Sequence, residues 1–148
     1  MRGDVRIAAP PRIVWEALND PEFLKGLIPG CQSMERLSDT ETLATVKLKL
    51  GILSVTFSGK ILLSNIRAPD SYTISAEGQG GIAGFARGSA DVTMVREGNE
   101  TLLSYDAKAD VEGKLAQMGV KLIDATVGKL ARRFFDDFNA AVSERAKA

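Results

Sequence analysis

Residues 102–135, LLSYDAKADVEGKLAQMGVKLIDATVGKLARRFF, change their hydrophobic period partway along, and that change decides the fold. Leu103, Tyr105, Ala107, Ala109 and Val111 alternate with Ser104, Asp106, Lys108, Asp110 and Glu112. A period of two places the first set on one face of a β-strand and the second on the other. From about Leu115 the spacing becomes helical, through Met118, Leu122, Ala125, Leu130, Phe134, Phe138 and Val142, with Val120, Ile123 and Val127 widening the stripe. A helix of roughly 28 residues would run about 42 Å, long enough to lie across a whole sheet.

Upstream the period of two repeats. TLATVKLKL, LSVTFSGKILL, SYTISAE and GFARGSADVTMV each carry an apolar face against a polar one, and LSDTE, RAPDS and REGNE supply turns between them. Clean alternation means an antiparallel sheet with one wet and one covered face. Before it come a short strand at DVRIA and two short helices. The first helix is opened by Pro10 and Pro11, with Ile13, Val14, Ala17 and Leu18 on its apolar side. The second follows Asn19-Asp20-Pro21, carries Phe23, Leu24, Leu27 and Ile28, and is expected to stop at Pro29-Gly30. The fold class is therefore α+β, a single domain over residues 1–148: a curved antiparallel sheet of about seven strands gripping one long C-terminal helix.

Composition narrows the function. Basic and acidic residues balance at 19 each, which argues against nucleic acid as a partner, since phosphate binding needs a cationic face. Histidine is absent and Cys31 is the single cysteine, so a zinc site and a Ser-His or Cys-His nucleophile are not expected. No apolar run approaches the roughly 18 residues of a membrane span, and a cytoplasmic location is the expectation.

Individual motifs read mostly as architecture. GQGGIAGFARG (78–88) matches neither phosphate-loop spacing and joins two strands, so it reads as a hairpin tip. Ser58 and Lys60 of TFSGK fall on the wet face of a strand, and Cys31 reads as a small hydrophobe. More informative are the covered-face positions Ala86, Gly88, Ala90, Ala107 and Ala109, too small to fill a core beneath a long helix. Either they let helix and sheet approach closely, or they leave an apolar cavity.

Three segments, APPRIVWEALNDPEFLKGLIPGCQSME, GQGGIAGFARGSADVTM and DVEGKLAQMGVKLIDATVGKLARRFFDDF, together resemble the CoxG family of carbon monoxide dehydrogenase subunits over nearly the full chain. That family belongs to the START-like, helix-grip (SRPBCC) superfamily, whose members enclose hydrophobic ligands between sheet and helix. The resemblance implies a noncatalytic accessory of a molybdenum carbon monoxide dehydrogenase or related hydroxylase, connecting it to the membrane and its quinone pool. It implies no cofactor beyond a bound quinone or isoprenoid lipid. Many members end in an apolar anchor, whereas this chain stops at SERAKA. Membrane contact at the inner face is then expected to be peripheral, unless an anchor has been trimmed.

On that fold the expected ligand contacts are Phe23, Leu27, Ile28, Phe57, Ile61, Tyr72, Ile74, Phe85, Gly88, Met94, Tyr105, Ala107, Gln117, Met118 and Leu122. Tyr72, Tyr105 and Gln117 are the candidates for polar contacts. The second short helix is expected either to lid the cavity or to seal the core, with loop tips at Gly51–Leu53 and Ile82–Phe85 beside it. A ligand-free adaptor remains an alternative. A START-like enzyme would need a buried carboxylate, and no Asp or Glu falls on the covered strand positions.

Overall fold

The computed structural model describes residues 1–50 and 52–147, the Leu50 side chain excepted. Seven strands form one antiparallel sheet: β1 (Arg2–Ile7), β2 (Cys31–Arg36), β3 (Glu41–Leu50), β4 (Leu53–Arg67), β5 (Ser71–Gln79), β6 (Phe85–Glu97) and β7 (Glu100–Glu112). Their spatial order is β1-β7-β6-β5-β4-β3-β2. Strands β2 to β7 follow one another as neighbours, while β1 crosses to pair with β7, so the first two strands are the two edges. The segment joining them must therefore cross the sheet from edge to edge, and it does so as α1 (Pro11–Leu18) and α2 (Pro21–Lys25).

Pro11 starts α1, and Pro11, Val14 and Ala17 form its buried side. The Asn19 amide closes the helix by donating to the Trp15 carbonyl at 2.9 Å. Asp20 caps α2, accepting from the Phe23 N–H at 3.3 Å. The helix is shorter than the sequence predicts, ending at Lys25, with Leu27 and Ile28 in a continuing turn that bonds back to the Leu24 carbonyl.

The last helix, α3 (Val120–Lys147), has the expected 28 residues but starts later than Leu115. Gly119 sits at φ +89°, outside the right-handed region, and separates α3 from a 3-10 turn over Gly113–Met118.

Two buried centres result. The larger joins Ile7, Val14, Ala17, Met94 and Leu103 to Phe138 and Val142 of α3. Phe138 meets Phe23 edge-on at 5.9 Å and Phe134 at 5.6 Å. Arg145 ties the same corner, 3.2 Å from Asp20 and 5.1 Å above the Phe23 ring. Thr101, fully buried, donates to the Ala9 carbonyl at 2.7 Å. Val55 and Leu115 are buried separately, outside that cluster. Among the described residues, Phe138 and Val142 are the only buried ones of α3.

Candidate functional site

Strand register builds the site. On the concave face, Leu63, Ile74, Ala90 and Ala107 lie side by side across β4 to β7, and Ile61, Ala76, Gly88 and Ala109 form the next row. The four positions contributed by β6 and β7 carry a single methyl group or no side chain at all, so the helix above has little to touch. A cavity of about 490 Å³ occupies the space, within the range typical of small-molecule sites. Of the two ways to read these small residues, the cavity is the one the structure contains.

Its floor is Ile61, Leu63, Ile74, Ala90 and Ala107, its wall on β3 is Thr42, Val46 and Leu48, and its roof is Val127, Leu130, Ala131, Phe134 and Phe135 of α3. Leu18, Leu24 and Ile28 close one end. Tyr105 borders it with its ring stacked on Phe135 at 5.6 Å and an interplanar angle of 16°. The hydroxyl end of that ring lies over Gly3 of β1, its register partner, where any Cβ would collide with it.

Polar groups in the lining are few, and most are committed to one another. Arg36 donates to the Ser38 carbonyl at 3.1 Å and the Asn19 carbonyl at 3.0 Å, and its guanidinium is 3.5 Å from Asp39. Asp39 is the one carboxylate in the lining among the described residues, and its side chain is fully exposed. Tyr72 is the buried exception. It is 7% exposed, packs edge-on against Trp15 at 5.1 Å, and has no hydrogen-bond partner among the described residues. Burial alone pushes its pKa up to about 12, so the hydroxyl is neutral at any physiological pH.

Of the expected contacts, Ile28, Ile61, Tyr72, Ile74, Tyr105 and Ala107 come together in the lining. Phe23 and Leu27 pack against the larger core instead, and Met94 is inside it. Phe57 covers Gly78 and Gly80 at the far end of the concave face. Phe85 lies on the opposite face of the sheet, under the Arg87 guanidinium at 5.7 Å. Gly88 is in the small-residue rows but outside the lining. Gln117 and Leu122 are exposed and Met118 is half-buried, all outside the lining. The α3 residues roofing the cavity are not among the contacts expected from the sequence, although Leu130 and Phe134 belong to its apolar stripe.

The remaining motifs are structural. Ser58 Oγ is 3.4 Å from Thr45 Oγ1 on the convex face. Lys60 contacts Glu41 at 2.7 Å, and this hydrogen bond raises the lysine pKa, opposite to what a general base needs. The Cys31 thiol is half-buried, pushed up in pKa by that burial. No helix among the described residues is long and apolar enough to cross a membrane. Ile52, Ile82 and Val120 are nonetheless 105%, 89% and 73% exposed, all at the end of the sheet where β4 and β6 begin and β7 hands over to α3. Gly51, expected at the same tip, is outside the described residues. At this end Ala76 and Ala109 stay exposed although they face the concave side, so α3 leaves it uncovered.

A curved antiparallel sheet closed by a C-terminal helix over an apolar cavity defines a START-like helix-grip protein. Solved structures share the fold at low identity. A conserved protein from Geobacillus kaustophilus superposes with a TM-score of 0.89 at 24% identity, over 97% of this chain and 94% of that one. A START superfamily protein from Mycobacterium smegmatis gives 0.73 at 15% identity, over 97% of each chain. The Zhui aromatase/cyclase from Streptomyces sp. R1128 gives 0.71 at 14%, over 98% and 93%. No curated protein matches the sequence. The profile of the CoxG family of carbon monoxide dehydrogenase subunits matches residues 3–143, and the chain belongs to that family.

Proposed function

We propose that this protein is a noncatalytic accessory of a molybdenum carbon monoxide dehydrogenase-type oxidoreductase, which carries a quinone or other neutral lipid in its cavity and links the enzyme to the membrane. The partner follows from family membership. The observation that carries the ligand is the apolar cavity of about 490 Å³ between sheet and α3. A lipid tail leaving a bilayer for such a cavity passes between two apolar phases, so the transfer is close to neutral and the ligand is free to leave again. The exposed Ile52, Ile82 and Val120, beside the uncovered Ala76 and Ala109, support insertion of that end into a membrane surface. A carboxylate enzyme is disfavoured, because the one acid in the lining among the described residues, Asp39, is solvated at the rim.

Native mass spectrometry of protein purified from its own host, followed by organic extraction, tests the carrier. The expected result is one quinone or isoprenoid per chain. A bare chain whose mass is unchanged after incubation with quinone-loaded vesicles would overturn it in favour of a ligand-free adaptor.

A further inference from the structure

The cavity is nearly all hydrocarbon, so the few polar atoms within it decide what kind of molecule it accepts. Three polar side chains carried by cavity-lining residues of the sheet are candidates. Thr42 is on β3 and half-buried. Tyr105 stacks on Phe135 and carries its hydroxyl away over Gly3 at the edge strand. Tyr72 remains, on central strand β5, at the end of the cavity closed by α1 and α2.

Two facts single Tyr72 out. No buried side-chain oxygen or nitrogen among the described residues is sealed away without a partner. Tyr72 has no partner among those residues and is more than nine-tenths buried, so its oxygen faces space that a small molecule can reach. A buried hydroxyl without a partner is costly to keep and is satisfied by whatever fills that space. The other polar groups nearby offer no substitute, since Arg36 and Asn19 are occupied with backbone carbonyls and with Asp39.

From this geometry we infer that Tyr72 is the specificity-determining contact of the cavity, donating a hydrogen bond to an uncharged acceptor, such as a ketone or quinone carbonyl, on an otherwise apolar ligand. The inference rests on the carrier reading and refines it. A phenol that keeps its proton donates to a carbonyl without transferring charge. A fatty-acid anion is rejected by the same arrangement, because its carboxylate would be desolvated beside no free cation: the Arg36 guanidinium in the lining is already engaged. The tail would extend toward Val127 and Leu130 beneath the amino-terminal half of α3.

The test pairs one variant with matched probes. Tyr72→Phe removes only the oxygen, which has no partner among the described residues, so the fold is retained. Binding of 2-methyl-1,4-naphthoquinone and of 2-methylnaphthalene, a similar shape without acceptors, is measured by tryptophan quenching, Trp15 being the single tryptophan and in contact with Tyr72. Wild type is expected to bind the quinone more tightly than the hydrocarbon. The variant should lose about 3- to 10-fold in affinity for the quinone, the range of one neutral hydrogen bond, and nothing for the hydrocarbon. Equal effects on both probes, or none on either, overturn the role of Tyr72 while leaving the cavity reading intact. Failure of wild type to bind either probe overturns both.

Discussion

Replacing Ala90 by leucine separates a cavity from a filled core by the sign of its effect. Ala90 is on central strand β6, in register with Ile74 and Ala107, half-buried on the cavity floor. Leucine adds three carbons, each worth about 0.8 kcal/mol when fully buried. Ordering the side chain removes roughly 0.5–1 kcal/mol of that. Incomplete burial in a space of about 490 Å³ reduces it further, which leaves a gain of about 1 kcal/mol in the ligand-free protein. In a packed core the same change would force neighbours off their rotamers and cost about 1–3 kcal/mol. Urea unfolding of delipidated wild type and Ala90→Leu reads the sign directly, and the melting temperature should rise by roughly 2–4 °C. Ligand affinity should fall at the same time, because the added carbons occupy ligand space. A loss of about 1 kcal/mol or more, as expected for overpacking, with unchanged affinity would refute the argument.

Two further outcomes follow from buried polar groups. The pKa of Tyr72 is raised to about 12 in the folded protein, against about 10 in the unfolded chain. Its contribution is fully present below pH 10, and is lost as pH rises to about 12 because the unfolded chain releases the proton first. Urea midpoints should therefore fall more steeply for wild type than for Tyr72→Phe across that window, by about 2–3 kcal/mol in total, and parallel profiles would contradict the assignment. Thr101→Val should cost about 1–3 kcal/mol, because it strands the buried Ala9 carbonyl that the hydroxyl now satisfies. A change in unfolding free energy below about 0.5 kcal/mol would mean that this bond matters little.

The sheet is legible in the sequence because alternation is a strong signal wherever one face is wet. Its covered positions on β6 and β7 can be named residue by residue, including the small ones that open the cavity. The helices are less so, for physical reasons that differ between them. In α2, Phe23 and Leu27 have the spacing of a cavity lid, but the partners that hold them, Phe138 and Arg145, are more than a hundred positions away, and no local pattern encodes that contact. In α3 the apolar stripe is wide, and spacing alone does not say which part faces the sheet. Leu122 and Ala125 turn outward while Val127, Leu130 and Ala131 turn inward. The start of α3 is misjudged from spacing because Gly119 looks like an ordinary helix residue, and only its positive φ reveals the break. Phe85 has the look of a loop tip but begins β6 on the convex face, since its register partner Gln79 faces outward.

The uneven anchoring of α3 has a consequence for how such a protein diversifies. Phe138 and Val142 fasten the carboxyl-terminal half to the core, whereas no residue from Val120 to Phe135 is fully buried. Substitutions over those first turns reshape the roof of the cavity without dismantling the corner where Phe23, Phe138 and Arg145 meet. Lineages carrying this fold can exchange one cargo for another through changes at a handful of positions, each tolerated on its own, and the same stretch is where a designer would begin.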